Sequence, residues 1–146
     1  IGVPSAELCG PMDEVLQGLG IRRGMVVCGM AGEKRMDELS PLGETTIAEF
    51  YQSRALSEST LSPTDLPLSP MSLENLAGGD AEANASITRA ILAGEETGPK
   101  RRAVLLNAGA ALFVADAANS ITEGWDLATT VINDGRAKTK LEELAG

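Results

Sequence analysis

The sequence predicts an α/β fold: part of a mixed, mostly parallel sheet flanked by helices, with a helical C-terminal half. Three observations carry this. Apolar residues recur at helical spacing from Leu8 to Leu19, and Gly20 follows them. Next comes Met25-Val26-Val27-Cys28-Gly29, a short apolar run that does not alternate. Such a run is the pattern of a strand buried on both faces, as in a parallel sheet. From Asp80 onward the chain carries helix caps and apolar positions at helical spacing.

The elements follow in order. Ile1 to Val3 is an apolar stub, Ser5 is a candidate N-cap, and Pro11 suits a first helical turn. Leu8, Met12, Val15, Leu16 and Leu19 line one helical face, and Gly20 supplies the stop. Thr45 to Tyr51 is β-prone, and Arg54 to Leu61 is expected to pair back on it as a hairpin. Ser62 to Pro70, with Pro63, Pro67 and Pro70, reads as a loop. No domain boundary is expected there, because the flanking segments lack evident cores of their own. Asp80 caps a helix to Ile91-Leu92, closed by Gly94. Pro99 opens the next, whose stretch Ala103 to Ala115 is apolar on nearly every face and so expected to be a buried central helix. Ser120-Ile121-Thr122-Glu123 fits a capping box before Trp125, Ala128, Val131 and Ile132, and Gly135 precedes a short last helix.

Composition excludes several functions. In 146 residues there are 12 Lys plus Arg against 21 Asp plus Glu, a net charge of −9, and no His. A chain without His builds no Ser-His-Asp or Cys-His arrangement and no His-based zinc site. The charge is poorly suited to neutralising nucleic-acid phosphates. Lys100-Arg101-Arg102 is the one basic triplet and reads as a solvated helix start. Cys9 and Cys28 form no C-x-x-C, read as small buried apolar residues, and point to a reducing cytoplasm. The longest apolar stretch is interrupted by Asn107 and is shorter than the ~20 residues a membrane span needs. No membrane partner and no signal peptide are expected.

The strongest local candidate for chemistry is Met36-Asp37-Glu38-Leu39-Ser40, after a loop containing Gly29 and Gly32. Ligands in open α/β sheets gather beyond the carboxyl ends of strands. Two adjacent carboxylates there can hold a hard cation that keeps waters and bridges to substrate phosphates. Neighbouring side chains diverge on a regular strand, so this role requires a turn. The plain alternative, a solvated surface pair, is the better reading of the local sequence alone. Gly78-Gly79-Asp80 reads as a tight turn plus N-cap rather than a phosphate cradle. Asn107 reads as a hydrogen-bonded core amide with Asn84 as the kind of partner it needs, and Trp125 as core.

Ile1-Gly2-Val3 through Leu8, Pro11-Met12, Glu14-Val15-Leu16, Leu19-Gly20, Val26-Val27 with Gly29, and Asp37-Glu38-Leu39-Ser40-Pro41 together resemble the corresponding stretches of anthranilate phosphoribosyltransferases. Gly78-Gly79-Asp80-Ala81 with Asn84-Ala85, and Pro99 with Ala103 to Ala108, continue the match in order over nearly the whole chain. The resemblance implies transfer of the phosphoribosyl group of phosphoribosyl pyrophosphate to anthranilate, with release of pyrophosphate, in tryptophan biosynthesis. It implies a nucleoside phosphorylase/phosphoribosyltransferase C-terminal-like fold. Residues 1–146 are expected to be the C-terminal portion of the larger α/β domain, with the N-terminal helical domain and the phosphate-loop region outside this sequence. By the same resemblance Asp37 and Glu38 are metal ligands for Mg²⁺, which chelates the donor's pyrophosphate. No catalytic residue and no organic cofactor is assigned.

Two departures stand out. Cys28 occupies a position where the family usually has His. The family's Gly-Thr-Gly-Gly-Asp loop, its Lys-His-Gly-Asn segment and its anthranilate-contacting arginine have no counterpart in these residues, and neither Gly78-Gly79-Asp80 nor Lys100 replaces them. The complete enzyme is expected to be a cytoplasmic homodimer. This chain alone is expected to be inactive, with apolar edges that a companion segment would cover. The competing readings are a non-catalytic binding or structural relative on the same scaffold, and a related nucleoside phosphorylase.

Overall fold

The computed structural model describes residues 1–52 and 56–146. The chain forms two compact units, Ile1–Pro70 and Met71–Gly146. The division falls at the end of the proline-bearing stretch, and each side of it has buried apolar residues of its own.

The first unit is a helix on a sheet. Helix α1 (Cys9–Gly18) follows a short 3-10 turn, Ala6–Leu8. Ser5 stands at the N-cap position of that turn but its side chain caps nothing. Gly20, at φ 80°, ends α1 as expected, with Gly20 N–H donating to Gln17 O and Ile21 N–H to Leu16 O. Four strands follow, β1 (Arg23–Ala31), β2 (Lys34–Met36), β3 (Thr45–Tyr51) and β4 (Ser57–Leu61). They form one sheet in the order β2-β1-β3-β4.

The α/β class stands, and the sheet is mixed, but the expectation of mostly parallel strands is corrected here. All three ladders are antiparallel, and among the described residues the parallel pairing is one bridge, Gly2 with Val27. The unbroken apolar run of β1 reports burial on both faces, and burial carries no information about strand direction. Val26 and Cys28 face α1 and cluster with Val3, Cys9 and Ala48, while Met25 and Val27 are also buried. The hairpin of β3 with β4 forms as expected, its outer arm beginning with the exposed Ser57-Glu58-Ser59. Arg54 and Ala55, the expected start of that arm, lie outside the described residues.

Helix α1 presents a different face from the one its periodicity suggests. Cys9 and Asp13 are buried against the sheet, with Leu16 partly so. Leu8, Met12, Val15 and Leu19 are exposed, Leu19 by 73%. The sheet side takes the small thiol and the short carboxyl because β1 approaches closely at Gly24. A Cβ at Gly24 would lie 3.4 Å from Asp13 Oδ1.

The second unit is helical: α2 (Leu73–Leu76), α3 (Ala81–Leu92), α4 (Pro99–Val114), α5 (Ile121–Asn133) and α6 (Arg136–Ala145). Its centre is the crossing of α4 and α5. Gly109 and Gly124 meet there; a Cβ on Gly109 would lie 2.7 Å from Trp125 N, and one on Gly124 would overlap the Gly109 carbonyl. Leu105, Leu106, Ala110, Trp125, Ala128 and Ile132 are buried. Helix α4 is less enclosed than expected, since Val104 is 38% exposed. Ser120 caps α5 by accepting from Glu123 N–H at 3.0 Å, while Glu123 Oε2 accepts from Asn119 N–H and Nδ2 rather than from Ser120. No described helix is long and apolar enough to cross a membrane.

Candidate functional site

The acidic pair sits in a bend directly after β2. Gly32, at φ 63°, makes the turn between β1 and β2, whereas Gly29 lies inside β1 rather than in a loop. The requirement for a turn is met by the bend at Asp37 and Glu38 themselves.

What fixes this bend is a pair of glycines and a buried serine. Gly2 lies so close to Asp37 that a Cβ there would overlap the Asp37 carbonyl. A Cβ on Gly29 would lie 2.5 Å from Glu38 O and 2.6 Å from Ser40 Cβ. The backbone of the acidic segment therefore rests on two bare backbone surfaces, with no side chain between. Leu39 beside it is fully buried, at 1% exposure. Ser40 N–H donates to Thr45 Oγ1 at 2.9 Å, and Ser40 Oγ donates to Met30 O at 2.6 Å. Leu42 N–H donates to Ser40 Oγ at 3.0 Å. Ser40 and Thr45 are both buried, so the bond between them forms away from competing water.

Asp37 and Glu38 remain exposed as residues while their backbone is held, although the Glu38 carboxyl is partly screened from water. The Glu38 carboxyl is pushed above its ordinary value, first by the protein around it and then by the neighbouring Asp37 charge. Two like charges in one bend resist joint ionisation, and a cation between them relieves that repulsion. Among the described residues no group of three or more His, Cys, Asp or Glu is placed to hold a metal. Asp37 and Glu38 alone would give an ion two side-chain ligands, a set that suits a hard cation keeping its other ligands as water or phosphate oxygen.

The remaining candidates take structural roles. Asp80 Oδ1 caps α3 by accepting from Ala83 N–H at 2.9 Å. Asn84 accepts from Gly79 N–H and donates to Gly79 O, each at 2.9 Å, closing the turn before α3. It does not serve the partner role suggested for Asn107, whose Nδ2 donates to Ala103 O within α4. The basic triplet is not a solvated helix start: Arg101 is 8% exposed and donates to Asn133 Oδ1 at 2.7 Å. Lys100 Nζ donates to Asn75 O. Cys9 and Cys28 are free and buried, and Trp125 is core, as expected. Sequence reasoning does not single out Gly2, Ser40 and Thr45 as supports of the bend. Gly2 between two apolar residues is the available signal.

The sequence model of the glycosyl transferase family a/b domain matches residues 1–138. An anthranilate phosphoribosyltransferase of Alkaliphilus metalliredigens (strain QYMF) is 44% identical over 144 residues, which are 99% of this chain and 41% of that protein. The crystal structure of anthranilate phosphoribosyltransferase from Thermus thermophilus superposes with a TM-score of 0.84 at 41% identity, covering 97% of this chain and 40% of that one. A variant of the Saccharomyces cerevisiae anthranilate phosphoribosyltransferase, solved with Mg bound, gives 0.80 at 26% identity, over 97% of this chain and 40% of that one. The chain spans about 40% of the length of the relatives it matches. Matched along nearly all of its own length, it belongs to the glycosyl transferase a/b-domain family.

Proposed function

We propose that this chain carries the metal-binding segment of an anthranilate phosphoribosyltransferase, with Asp37 and Glu38 as the ligands for Mg²⁺. The observation that carries this reading is the exposed acidic bend held against Gly2, Gly29 and Ser40, in a chain 44% identical to such a transferase. When bound, Mg²⁺ neutralises charge on the departing diphosphate of phosphoribosyl pyrophosphate. Asp37 and Glu38 would hold the ion from a bend whose backbone packs closely against Gly2 and Gly29, so that its charge would already be in place when the bond to the ribose breaks. Leu39 and Ser40 exclude water from beneath the bend and hold it in place. Anthranilate attacks through its amine at the ribose carbon.

The same reading carries a cytoplasmic enzyme that works as a homodimer, as the family resemblance implies. The net charge of −9 on these 146 residues supports small anionic substrates held through a cation over a polynucleotide partner. The test is an assay of the full-length enzyme containing this sequence with phosphoribosyl pyrophosphate, Mg²⁺ and anthranilate, following loss of anthranilate fluorescence. Transfer is expected there, and none from the 146-residue chain alone. Cleavage of nucleosides by inorganic phosphate without transfer to anthranilate would overturn the reading.

A further inference from the structure

Asp13 is the buried ionisable group that the proposed reaction does not use. It is fully buried in α1, and neither of its carboxyl oxygens has a hydrogen-bond partner among the described residues. Its surroundings are the bare backbone of Gly24 on β1 and the buried ring of Phe50 on β3; a Cβ at Gly24 would lie 2.5 Å from Phe50 Cε1. The described charged and titratable groups around it do not pair with it. Glu49 comes from β3 and repels it, and Cys9 lies one turn earlier on α1. On β1, Arg23 stacks over the Tyr51 ring at 5.7 Å. Ile1 N–H donates its hydrogen bond to Met25 O at 2.8 Å.

An unpaired carboxylate is far more costly in such a place than a neutral carboxyl. Other contacts also hold the helix: Cys9 Sγ lies 3.9 Å from Thr46 O, and Gln17 Nε2 donates to Gln52 O at 3.1 Å. Cys9 joins the core cluster and Leu16 packs against it, while Leu8, Met12, Val15 and Leu19 point away. We propose that Asp13 is a proton-controlled latch on α1: as the neutral acid it lets the helix seat on β1 and β3, and on ionising it loosens that seat. Burial first, and then the Glu49 charge, push the carboxyl up to about 6 from 3.8.

The direction of the pH effect follows. The folded value lies above the unfolded one, so the native state binds the proton more tightly. No penalty exists below about pH 4, it grows as pH rises, and it is complete above about pH 6. A rise from 3.8 to about 6 corresponds to a roughly hundred-fold weaker folding equilibrium for the unit that carries α1.

The experiment is denaturant unfolding of the intact chain from about pH 4 to about pH 7, for the unmodified protein and for Asp13→Asn, with the Asp13 carboxyl titrated by carbon-detected NMR. Asp13→Asn keeps the shape and removes the charge. Expected is a roughly hundred-fold loss in the unmodified protein's folding equilibrium relative to Asp13→Asn across that range, with the carboxyl titrating near 6. Parallel pH profiles would overturn the proposal. So would a carboxyl titrating at the ordinary aspartate value, a readout that needs no variant and decides the matter even if Asp13→Asn does not fold.

Discussion

At the scale of single residues, the site is made by absences as much as by functional groups. Asp37 and Glu38 are the proposed metal ligands, but Gly2 and Gly29 supply the clearance that lets their backbone lie close on the strand beside it. This gives a sharp expectation for Gly29→Ala. The new methyl would meet Glu38 O at 2.5 Å and Ser40 Cβ at 2.6 Å, and neither atom is the far end of a flexible side chain. Overpacking of this kind costs about 1–3 kcal/mol. Urea unfolding should show that loss, and a change below about 0.5 kcal/mol would mean that the close approach is not a constraint. The acidic pair is visible in the sequence as a motif. Its supports are not, because Ser40, Thr45 and Met30 are brought together by the β1–β3 pairing rather than by any local spacing.

At the scale of elements, periodicity finds the helices and misjudges their surfaces. Helix α1 has the apolar stripe its spacing indicates, but of that stripe Leu16 meets the sheet, together with Cys9 and Asp13, while Met12 and Val15 are exposed. A period of 3.6 residues locates a face without naming what meets it. The same limit applies to β1, where two-sided burial is legible and antiparallel pairing is not. Helix caps are the most legible features, since Asp80 and Ser120 accept from the N–H three residues on through purely local geometry. The crossing of α4 on α5 is invisible in sequence because Gly109 and Gly124 meet only in space. Gly124→Ala should destabilise the chain by about 1–3 kcal/mol, outweighing the gain of up to ~1 kcal/mol that Ala brings to a helix. Gly18→Ala in α1 is the matched control, since a Cβ there meets nothing within 4 Å. Calorimetry that showed the two variants equally stable would remove the close-packed crossing from the description.

At the scale of the whole molecule, the two units differ in what they offer. The unit Ile1–Pro70 contains the acidic bend, both cysteines and the buried Asp13, while Met71–Gly146 is a helical body around Gly109 and Gly124. The sequence resemblance locates the first of these features because it spans ordered short motifs over nearly the whole chain. It carries no information on Asp13, whose importance arises only from its burial in the fold. Nor does it show that Arg101 is buried, since a basic triplet at a helix start reads as solvated until Asn133 is folded against it.

The metal binding proposed for Asp37 and Glu38 joins the residue scale to the transferase activity proposed for the longer protein. The most direct measurement is the Mg²⁺ dependence of phosphoribosyl transfer to anthranilate in the full-length enzyme, with and without Asp37→Asn and Glu38→Gln. The paired substitution should raise the Mg²⁺ requirement and cut donor use by orders of magnitude, while unfolding stability stays within about 1 kcal/mol because both residues are exposed. Unchanged Mg²⁺ dependence in a variant that still folds would contradict the assignment.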